Sequence, residues 1–278
     1  FFNRIIIDDV MMYDQKGDSM IYASRISAKV SLLPLLNQKI SIASAQLFGL
    51  KANLYQQTPQ SKHNFQFVLD SLASKDTTKH TPLDLHIGSL IIRHGAVKYD
   101  KRYIASKSGV FSPAHISISD LSTHIIANHI TDDAINLHIK KLAFRDKSGL
   151  QLNSLSFKLD ADKREASLKE FELQLPHSDI TLGDIHATYR FDNGKLVMPT
   201  LQYSGSIEQS KITLSDIACL LPIFRHFEDA VFFETQFTGT STSLRCQKIN
   251  FKTGSGSINL QAKGRISDWN SRPAWDVD

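Results

Sequence analysis

Histidine is the side chain of this sequence best suited to binding a metal ion, and eleven histidines occur among its 278 residues. His124 and His129 lie five positions apart, and His86 and His94 lie eight apart. Neither spacing matches the H-E-x-x-H pattern, in which two histidines on one face of a helix bind zinc. The histidine spacing therefore predicts no metal site, and we expect no cofactor.

The two cysteines, Cys219 and Cys246, do not form the C-x-x-C pair that zinc knuckles and thioredoxin-like redox sites use. Cys219 belongs to the apolar run 214–221, so we expect it in the core. Two states stay open from the sequence: a disulfide between the cysteines in an oxidising compartment, and two separate thiols.

Residue types that perform hydrolysis are present, but their arrangement does not favour catalysis. No G-x-S-x-G elbow positions a serine nucleophile, and no helix follows the glycines and serines of 254–257 to bind phosphate. Residues 14–19 begin like a calcium loop but lack its later ligands and its closing glutamate. The acidic pairs 8–9 and 132–133 would point to opposite faces of a strand, unlike the facing carboxylates of a glycosidase. We therefore predict a protein that is not an enzyme.

The composition is that of a globular protein, with 41% hydrophobic and 22% charged residues. The net charge of +4 is small and no long basic run occurs, so we expect no nucleic-acid partner. The apolar stretches are shorter than the roughly 18 residues of a membrane-spanning helix. The sequence starts at Phe1 without a signal-peptide pattern. We expect a segment of a longer polypeptide whose membrane anchor lies elsewhere.

The dominant pattern is alternation of apolar and polar residues, which gives a strand one apolar and one polar face. Turn-forming residues separate the alternating runs. We predict a mainly β protein with fewer than about a fifth of its residues in helices. Its architecture would be an extended, curled antiparallel β-sheet with an open groove, or a solenoid-like stack, with a few short helices. The alternating runs are 116–118, 135–139, 150–152, 155–159, 171–175, 180–182, 212–214 and 258–260.

Three segments depart from this alternation. Residues 64–72 have apolar side chains at helical spacing, which predicts a helix. Residues 31–36 and 215–226 share a Leu-Leu-Pro triplet and are each predicted to form a short helix or helical turn, interrupted or started by the proline.

The polar segment 74–82 is rich in turn-forming residues and is predicted to be a linker. We therefore predict two parts of the chain on either side of it. Residues 1–73 would form an N-terminal strand-turn-helix subdomain, and residues 83–278 a long β-sheet groove segment.

Several degenerate segments carry a resemblance to a known family. They are 5–9, 17–21, 28–36, 39–42, 47–50, 64–67, 85–97, 220–222, 237–240 and 260–264. Their order of strand, Leu-Leu-Pro turn, strand and helix resembles the repeating unit of the AsmA/TamB-like envelope proteins, particularly the TamB-like chains of the Bacteroidetes. The resemblance spans most of the chain.

This resemblance implies a protein anchored in the inner membrane by an N-terminal helix and extended through the periplasm as an open β-sheet with an apolar lining. It implies phospholipid transfer toward the outer membrane, or assistance in assembling outer-membrane proteins, without catalytic residues. The implied partners are phospholipid acyl chains and an outer-membrane barrel protein.

The apolar rows of the alternating runs are the candidates for such a lining. A sheet with one apolar face must bury it, and the predicted helices are too few to cover so many strands. A closed core and a groove around acyl chains both stay open. The residues predicted to line the groove are Ile135, Leu137, Ile139, Leu152, Leu155, Phe157, Leu159, Leu173, Leu175, Ile180, Leu182, Ile212, Leu214, Ile258 and Leu260. From Leu152 to Leu182, together with Phe171, we predict one shared surface.

Two other functions compete with lipid transfer. A scaffold for outer-membrane protein assembly would work through exposed strand edges. A carbohydrate-binding solenoid would need a row of surface aromatics, but both tryptophans, Trp269 and Trp275, lie near the C-terminus of the sequence.

Overall fold

The computed structural model describes residues 4–31, 41–73, 86–130, 133–268 and 273–278. The protein is mainly β, with one large mixed sheet and about 7% of its residues in helices. The predicted fold class and the predicted limit on helix content are confirmed.

The chain divides into two compact units. The first contains residues 1–127 and 141–151, and the second contains residues 128–140 and 152–278. The strands of the first unit are β1 (Arg4–Tyr13), β2 (Ser19–Ser31), β3 (Ser41–Phe48), β4 (Lys51–Gln56), β5 (His86–Ile87) and β6 (Ser89–Lys101). Strands β7 (His115–Ile130) and β8 (Ile135–Asp146) contribute residues to both units. The later strands are β9 (Gln151–Ala161), β10 (Glu165–Gln174), β11 (Asp179–Leu182), β12 (Ile185–Thr188), β13 (Phe191–Asp192), β14 (Lys195–Leu196), β15 (Gln202–Thr213), β16 (Ala230–Thr240), β17 (Ser243–Thr253), β18 (Asn259–Ser267) and β19 (Ala274–Val277).

The helical segments are short. Helix α1 (Gln66–Ala73) confirms the helix predicted from apolar spacing. The segment 215–226, predicted to be helical with a break or a start at its proline, forms two 3₁₀ turns, Leu214–Ile217 and Pro222–His226, and Pro222 starts the second. A third 3₁₀ turn is Met198–Thr200. Of the turn predicted over 31–36, residues 32–36 lie outside the described residues.

One ladder of the first unit is parallel, which the sequence analysis did not anticipate. Strand β2 pairs antiparallel with β1. It also pairs antiparallel with β3 along one part of its length and with β4 along another part. Strands β5 and β6 then run parallel to β3 and β4, with Ala45 opposite Leu90 and Ala52 opposite Val97. A parallel pair requires a long crossover connection. The segment between β4 and β5 provides it and contains α1.

This parallel pairing bears on the predicted division of the chain. The proposed linker, residues 74–82, lies outside the described residues. Strands on either side of it nevertheless belong to one unit, because β3 and β4 pair with β5 and β6. The predicted N-terminal subdomain, residues 1–73, is therefore not separate from the strands that follow it.

The second unit is a succession of antiparallel pairs. Strand β10 pairs with β9 on one side and with β11 and β12 on the other. Strands β11 and β12 pair with β15, and β16, β17, β18 and β19 follow in order. Strands β13 and β14 form a separate small hairpin.

A row of irregular residues crosses the strands of the first unit. We name it the bulge line, and it consists of Asp9, Gly49, His94 and Asp120, with φ angles of 54°, 58°, 55° and 54°. Asp and His are among the few residue types that tolerate this left-handed backbone. At Gly49 an added Cβ would also lie 2.7 Å from the Ser24 hydroxyl, so glycine is required there for both conformation and space.

The bulge line changes which sequence positions share a face. In β6, Leu90 and Val97 are an odd number of positions apart, so strict alternation would place them on opposite faces. They lie opposite Ile125 and Ile118 of β7, and each strand contains one extra residue between the two pairs. An extra residue shifts the alternation by one position. Both apolar pairs therefore stay on one face.

A buried aspartate stabilises the turn between β1 and β2. The Asp14 carboxylate accepts hydrogen bonds from the Lys16 and Asp18 amides at 2.8 and 3.0 Å and from the Tyr55 hydroxyl at 2.9 Å. Burial alone would raise the pKa of the Asp14 carboxyl, but these hydrogen bonds, with a weaker one from Asn64, lower it below its ordinary value. The turn is thus stabilised by the ionised form.

We expect the Asp14 contribution to stability to depend on pH. Because its folded-state pKa is depressed, the contribution is present above the unfolded-state value of about 3.9 and is lost as the pH falls through the folded-state value. Asp14→Asn should unfold at a lower temperature than the wild type at pH 7, and the gap should shrink as the pH falls below about 4. Thermal melts across this range measure the gap, and a gap that is the same at every pH would contradict the assignment.

Candidate functional site: an apolar sheet face

One face of the second unit is apolar from strand to strand. In β9 and β10, Leu155 lies opposite Leu173 and Leu159 lies opposite Leu168. Side chains directly opposite each other in a ladder point to the same face. The same register then places Ile180 of β11 opposite Leu173, which extends this face to a third strand.

The face continues through β15 and β16. Ile207 of β15 lies opposite Leu182 of β11 and is therefore on the same face. Phe237 of β16 lies opposite Gly205 of β15 and extends the face to the next strand. A Cβ added at Gly205 would lie 2.8 Å from the Ile185 side chain and 3.0 Å from the Phe237 ring. The glycine therefore lets Ile185 and Phe237 pack toward each other across β15.

Aromatic rings contact one another at two places on this face. The rings of Phe157 and Phe171 are stacked with centroids 6.3 Å apart, and those of Tyr203 and Phe237 are tilted at the same separation. Such pairs add about 0.5–1.5 kcal/mol beyond their buried area. They make the face a continuous apolar surface rather than a set of separate patches.

We name this surface the apolar face and define it by the registers of β9 to β18. Its large side chains are Leu155, Phe157, Leu159, Leu168, Phe171, Leu173, Ile180, Leu182, Ile185, Tyr203, Ile207, Ile212, Val231, Phe233, Phe237, Leu244, Cys246, Ile249, Phe251, Leu260 and Ile266.

The apolar face is only partly protected from solvent. Nearly all its side chains are half-buried, whereas most of the alternating polar residues of the same strands are exposed. Six apolar side chains are buried among the described residues, and none belongs to the apolar face; they are Met20, Ala23, Leu50, Tyr55, Leu152 and Cys219. The helical segments of this unit are 3₁₀ turns of three to five residues, too short to cover eight strands.

Many of the predicted lining residues lie on the apolar face. In the described registers these are Leu155, Phe157, Leu159, Leu173, Ile180, Leu182, Ile212 and Leu260. Of the nine residues predicted to share one surface, seven do: Leu155, Phe157, Leu159, Phe171, Leu173, Ile180 and Leu182; Leu152 and Leu175 do not. Their role as a groove lining stays a prediction.

The predicted residues of β8 lie on the same side of the sheet. The Asn136 side chain donates a hydrogen bond to the Asp160 carboxylate, which stands on the polar face of β9. Alternation along β8 then places Ile135, Leu137 and Ile139 on the apolar side.

The remaining predicted lining residues lie elsewhere. Leu152 is buried, with 8% of its surface exposed, so it is packed rather than presented to solvent. Leu175 lies just after β10 and Ile258 just before β18, both outside the strands, and Leu214 begins a 3₁₀ turn. The alternating pattern predicts these four because it runs on to a strand end, where the backbone leaves the sheet.

The sequence pattern failed to predict more residues of the apolar face than it predicted; examples are Leu168, Ile185 and Ile249. In β10, β15 and β17 an irregular position shifts the alternation, at Glu170 with a φ of 52°, at 208–209 and at Gln247. On one side of such a position the apolar face is formed by odd-numbered residues, and on the other side by even-numbered residues. The sequence does carry a signal of such a position: the alternation of apolar residues shifts by one, with two polar residues beside the shift.

Ser178 and His177 both hydrogen-bond to Asp216, but the geometry of this cluster indicates a structural role rather than catalysis. The Ser178 hydroxyl donates to Asp216 Oδ2 at 2.6 Å, and the His177 ring and amide hydrogen-bond to the same carboxylate at 2.8 and 2.9 Å. Ser178 is fully buried and also accepts the Thr213 amide at 2.9 Å. A nucleophile would need its hydroxyl exposed and bonded to the histidine, so this cluster ties the turn after β10 to the end of β15.

Other chemistry is limited in the part of the chain that the structure describes. No three His, Cys, Asp or Glu side chains there lie close enough to hold a metal ion. Cys219 and Cys246 are not bridged to each other: the first is buried and the second is half-buried on the apolar face. None of the described helices is both long and apolar enough to cross a bilayer.

The comparisons with known proteins assign no family. No protein-family model matches the sequence, and no curated protein is similar enough to indicate a relative.

Proposed function

We propose that this chain binds phospholipid acyl chains on the apolar face and acts without catalysis, as the periplasmic segment of an inner-membrane-anchored protein that transfers phospholipid toward the outer membrane. The observation that carries the proposal is the apolar face itself, half-exposed along β9 to β18 and not packed under a second layer of the described residues of its unit. The resemblance to AsmA/TamB-like proteins supports the cellular setting.

The energetics of lipid transfer favour such a surface. Moving a 16-carbon chain into water costs on the order of 13 kcal/mol, at about 0.8 kcal/mol for each CH₂. A continuous apolar surface lowers this cost at every step of the movement, whereas isolated patches would leave a barrier between them. The stacked and tilted aromatic pairs and the close approach across Gly205 keep the apolar face continuous between strands.

Native mass spectrometry of the purified protein after incubation with phospholipid vesicles tests this proposal. We expect adducts with the mass of intact phospholipid, and we expect a competing long-chain fatty acid to displace them because the acyl chain carries the affinity. An established lipid-binding protein, treated in parallel, shows that the conditions preserve such complexes. Unliganded protein alone, while that control keeps its lipid, would argue against the proposal.

A scaffold for outer-membrane protein assembly is the second candidate, and strand β1 favours it. In the first unit β1 pairs with β2, and its isoleucines Ile5, Ile6 and Ile7 are each more than 50% exposed. An exposed apolar edge strand is a template for pairing with another strand. The scaffold predicts binding of an unfolded barrel-strand peptide by protein stripped of lipid, and the lipid proposal does not require it.

A further inference from the structure

The polar face of the second unit contains a row of aligned side chains that the proposed lipid contact does not use. His186 of β12 lies opposite Ser204 of β15, which lies opposite Thr238 of β16. Thr238 lies opposite Arg245 of β17, and Arg245 lies opposite Arg265 of β18. These five residues occupy neighbouring strands at about 4.8 Å intervals.

The row lies in a concave surface of about 510 Å³. A second row of polar side chains, Thr188, Gln202, Thr240 and Ser243, lies beside it, and Tyr203 and Gly239 complete the lining. We name this surface the arginine pocket. Its size falls in the range of small-molecule sites, about 300–1,000 Å³, and most of its side chains are polar.

Arg245 and Arg265 are two like charges that lie directly opposite each other in the sheet, which is an unusual pairing. Side chains directly opposite in an antiparallel ladder have Cβ atoms about 5 Å apart, and like charges there are destabilising. Neither guanidinium forms an ion pair or hydrogen bond with another described residue. The nearby acids lie at the margins: Asp276 is opposite Arg265 in the β19 register, and Glu165 lies 3.8 Å from the His186 ring.

An oxyanion placed between the arginines would remove this repulsion. Guanidinium groups bind phosphate through paired, charge-assisted hydrogen bonds. The hydroxyls of Ser204 and Thr238 are further donors on the same surface. The volume exceeds that of a phosphate ion, so it would accommodate a polar group attached to the phosphate.

We infer that the arginine pocket binds a phosphate ester with a small polar substituent, held by Arg245 and Arg265. The ester is either a soluble compound or the headgroup of a phospholipid. The inference does not depend on the apolar face, which lies on the other side of the same strands.

Isothermal titration calorimetry with glycerol 3-phosphate, and with inorganic phosphate as the simplest probe, tests the pocket. We expect saturable binding by the wild type and a loss of about tenfold in affinity, about 1.4 kcal/mol, for each arginine replaced in Arg245→Gln and Arg265→Gln, because each removes a charge-assisted hydrogen bond. Arg245→Lys with Arg265→Lys keeps the charge but loses the paired geometry, and we expect intermediate affinity.

The matched control removes two charges from the same sheet face outside the pocket. Lys211→Gln with Lys252→Gln should leave the affinity unchanged; an equal loss in this control would show a general charge effect and overturn the inference. Absence of saturable binding by the wild type to either soluble probe and to vesicles would also overturn it.

Vesicle flotation distinguishes the two sources of the ester. Vesicles of phosphatidylcholine, with and without phosphatidylglycerol, are compared for the wild type and for Arg245→Gln with Arg265→Gln. Arginine-dependent binding to phosphatidylglycerol vesicles assigns a lipid headgroup, and arginine-dependent binding to glycerol 3-phosphate alone assigns a soluble ester. Because the soluble probes have no acyl chain, a failure of the lipid proposal leaves this result unaffected.

Discussion

Leu173→Glu should abolish the transfer of a photo-crosslinkable phospholipid onto the protein while leaving its melting temperature almost unchanged. Leu173 is half-buried on the apolar face between Leu155 and Ile180, so without lipid its carboxylate could still reach water. With an acyl chain over it, the carboxylate would be buried without a partner, which costs several kcal/mol. Cross-linking should therefore fall by more than about tenfold.

Ser154→Glu is the matched control for this experiment. Ser154 precedes Leu155 in β9 and lies opposite Gln174, on the polar face of the same pair of strands. The same charge added there should leave cross-linking at the wild-type level. A Leu173→Glu protein that is folded and fully cross-linked would exclude acyl contact at this position, and one that unfolds would show a closed core instead.

Asp216→Ala is expected to lower the stability by about 1–3 kcal/mol, because it leaves a buried hydrogen-bonding group without its partner. The Asp216 side chain is 2% exposed and accepts hydrogen bonds from the Ser178 hydroxyl and from both the ring and the amide of His177. Alanine would leave the buried Ser178 hydroxyl without this acceptor. Urea denaturation measures the change.

Two further variants separate the hydrogen bonds from the charge. Asp216→Asn keeps one oxygen acceptor and should lose less stability than alanine, and Ser178→Ala with Asp216→Ala should add little to the loss from Asp216→Ala alone because the two groups act together. Fully additive losses would show that Ser178 and Asp216 stabilise the fold independently.

Much of the β structure could be predicted because alternation is a local property of the sequence. The runs around Leu155 and Leu173 predicted both the strands and their shared face, since each run is long enough to fix its own register. The parallel ladder between β3 and β6 could not be predicted in this way, because nothing local to Ala45 indicates that its neighbour is Leu90.

The candidate site was only partly predictable for a related reason. Ile249 and Cys246 of β17 share a face although an odd number of positions separates them, because Gln247 is an extra residue in the register with β16. Pattern matching with a fixed period reads one of the two as polar-facing. The arginine pocket was missed because Arg245 and Arg265 are twenty positions apart and become neighbours only through the β17–β18 register.

The irregular positions also set how these strands can vary in length. Each extra residue shifts the alternation within its strand by one position. The apolar side chains on its two sides therefore point to the same face only while the extra residue is present. Deleting Glu170, for example, would turn over either the Leu168 side of β10, which brings Lys169 onto the apolar face, or the Leu173 side, which brings Glu172 onto it. Insertions and deletions inside these strands should therefore be tolerated in pairs, whereas single-residue changes should be confined to the turns.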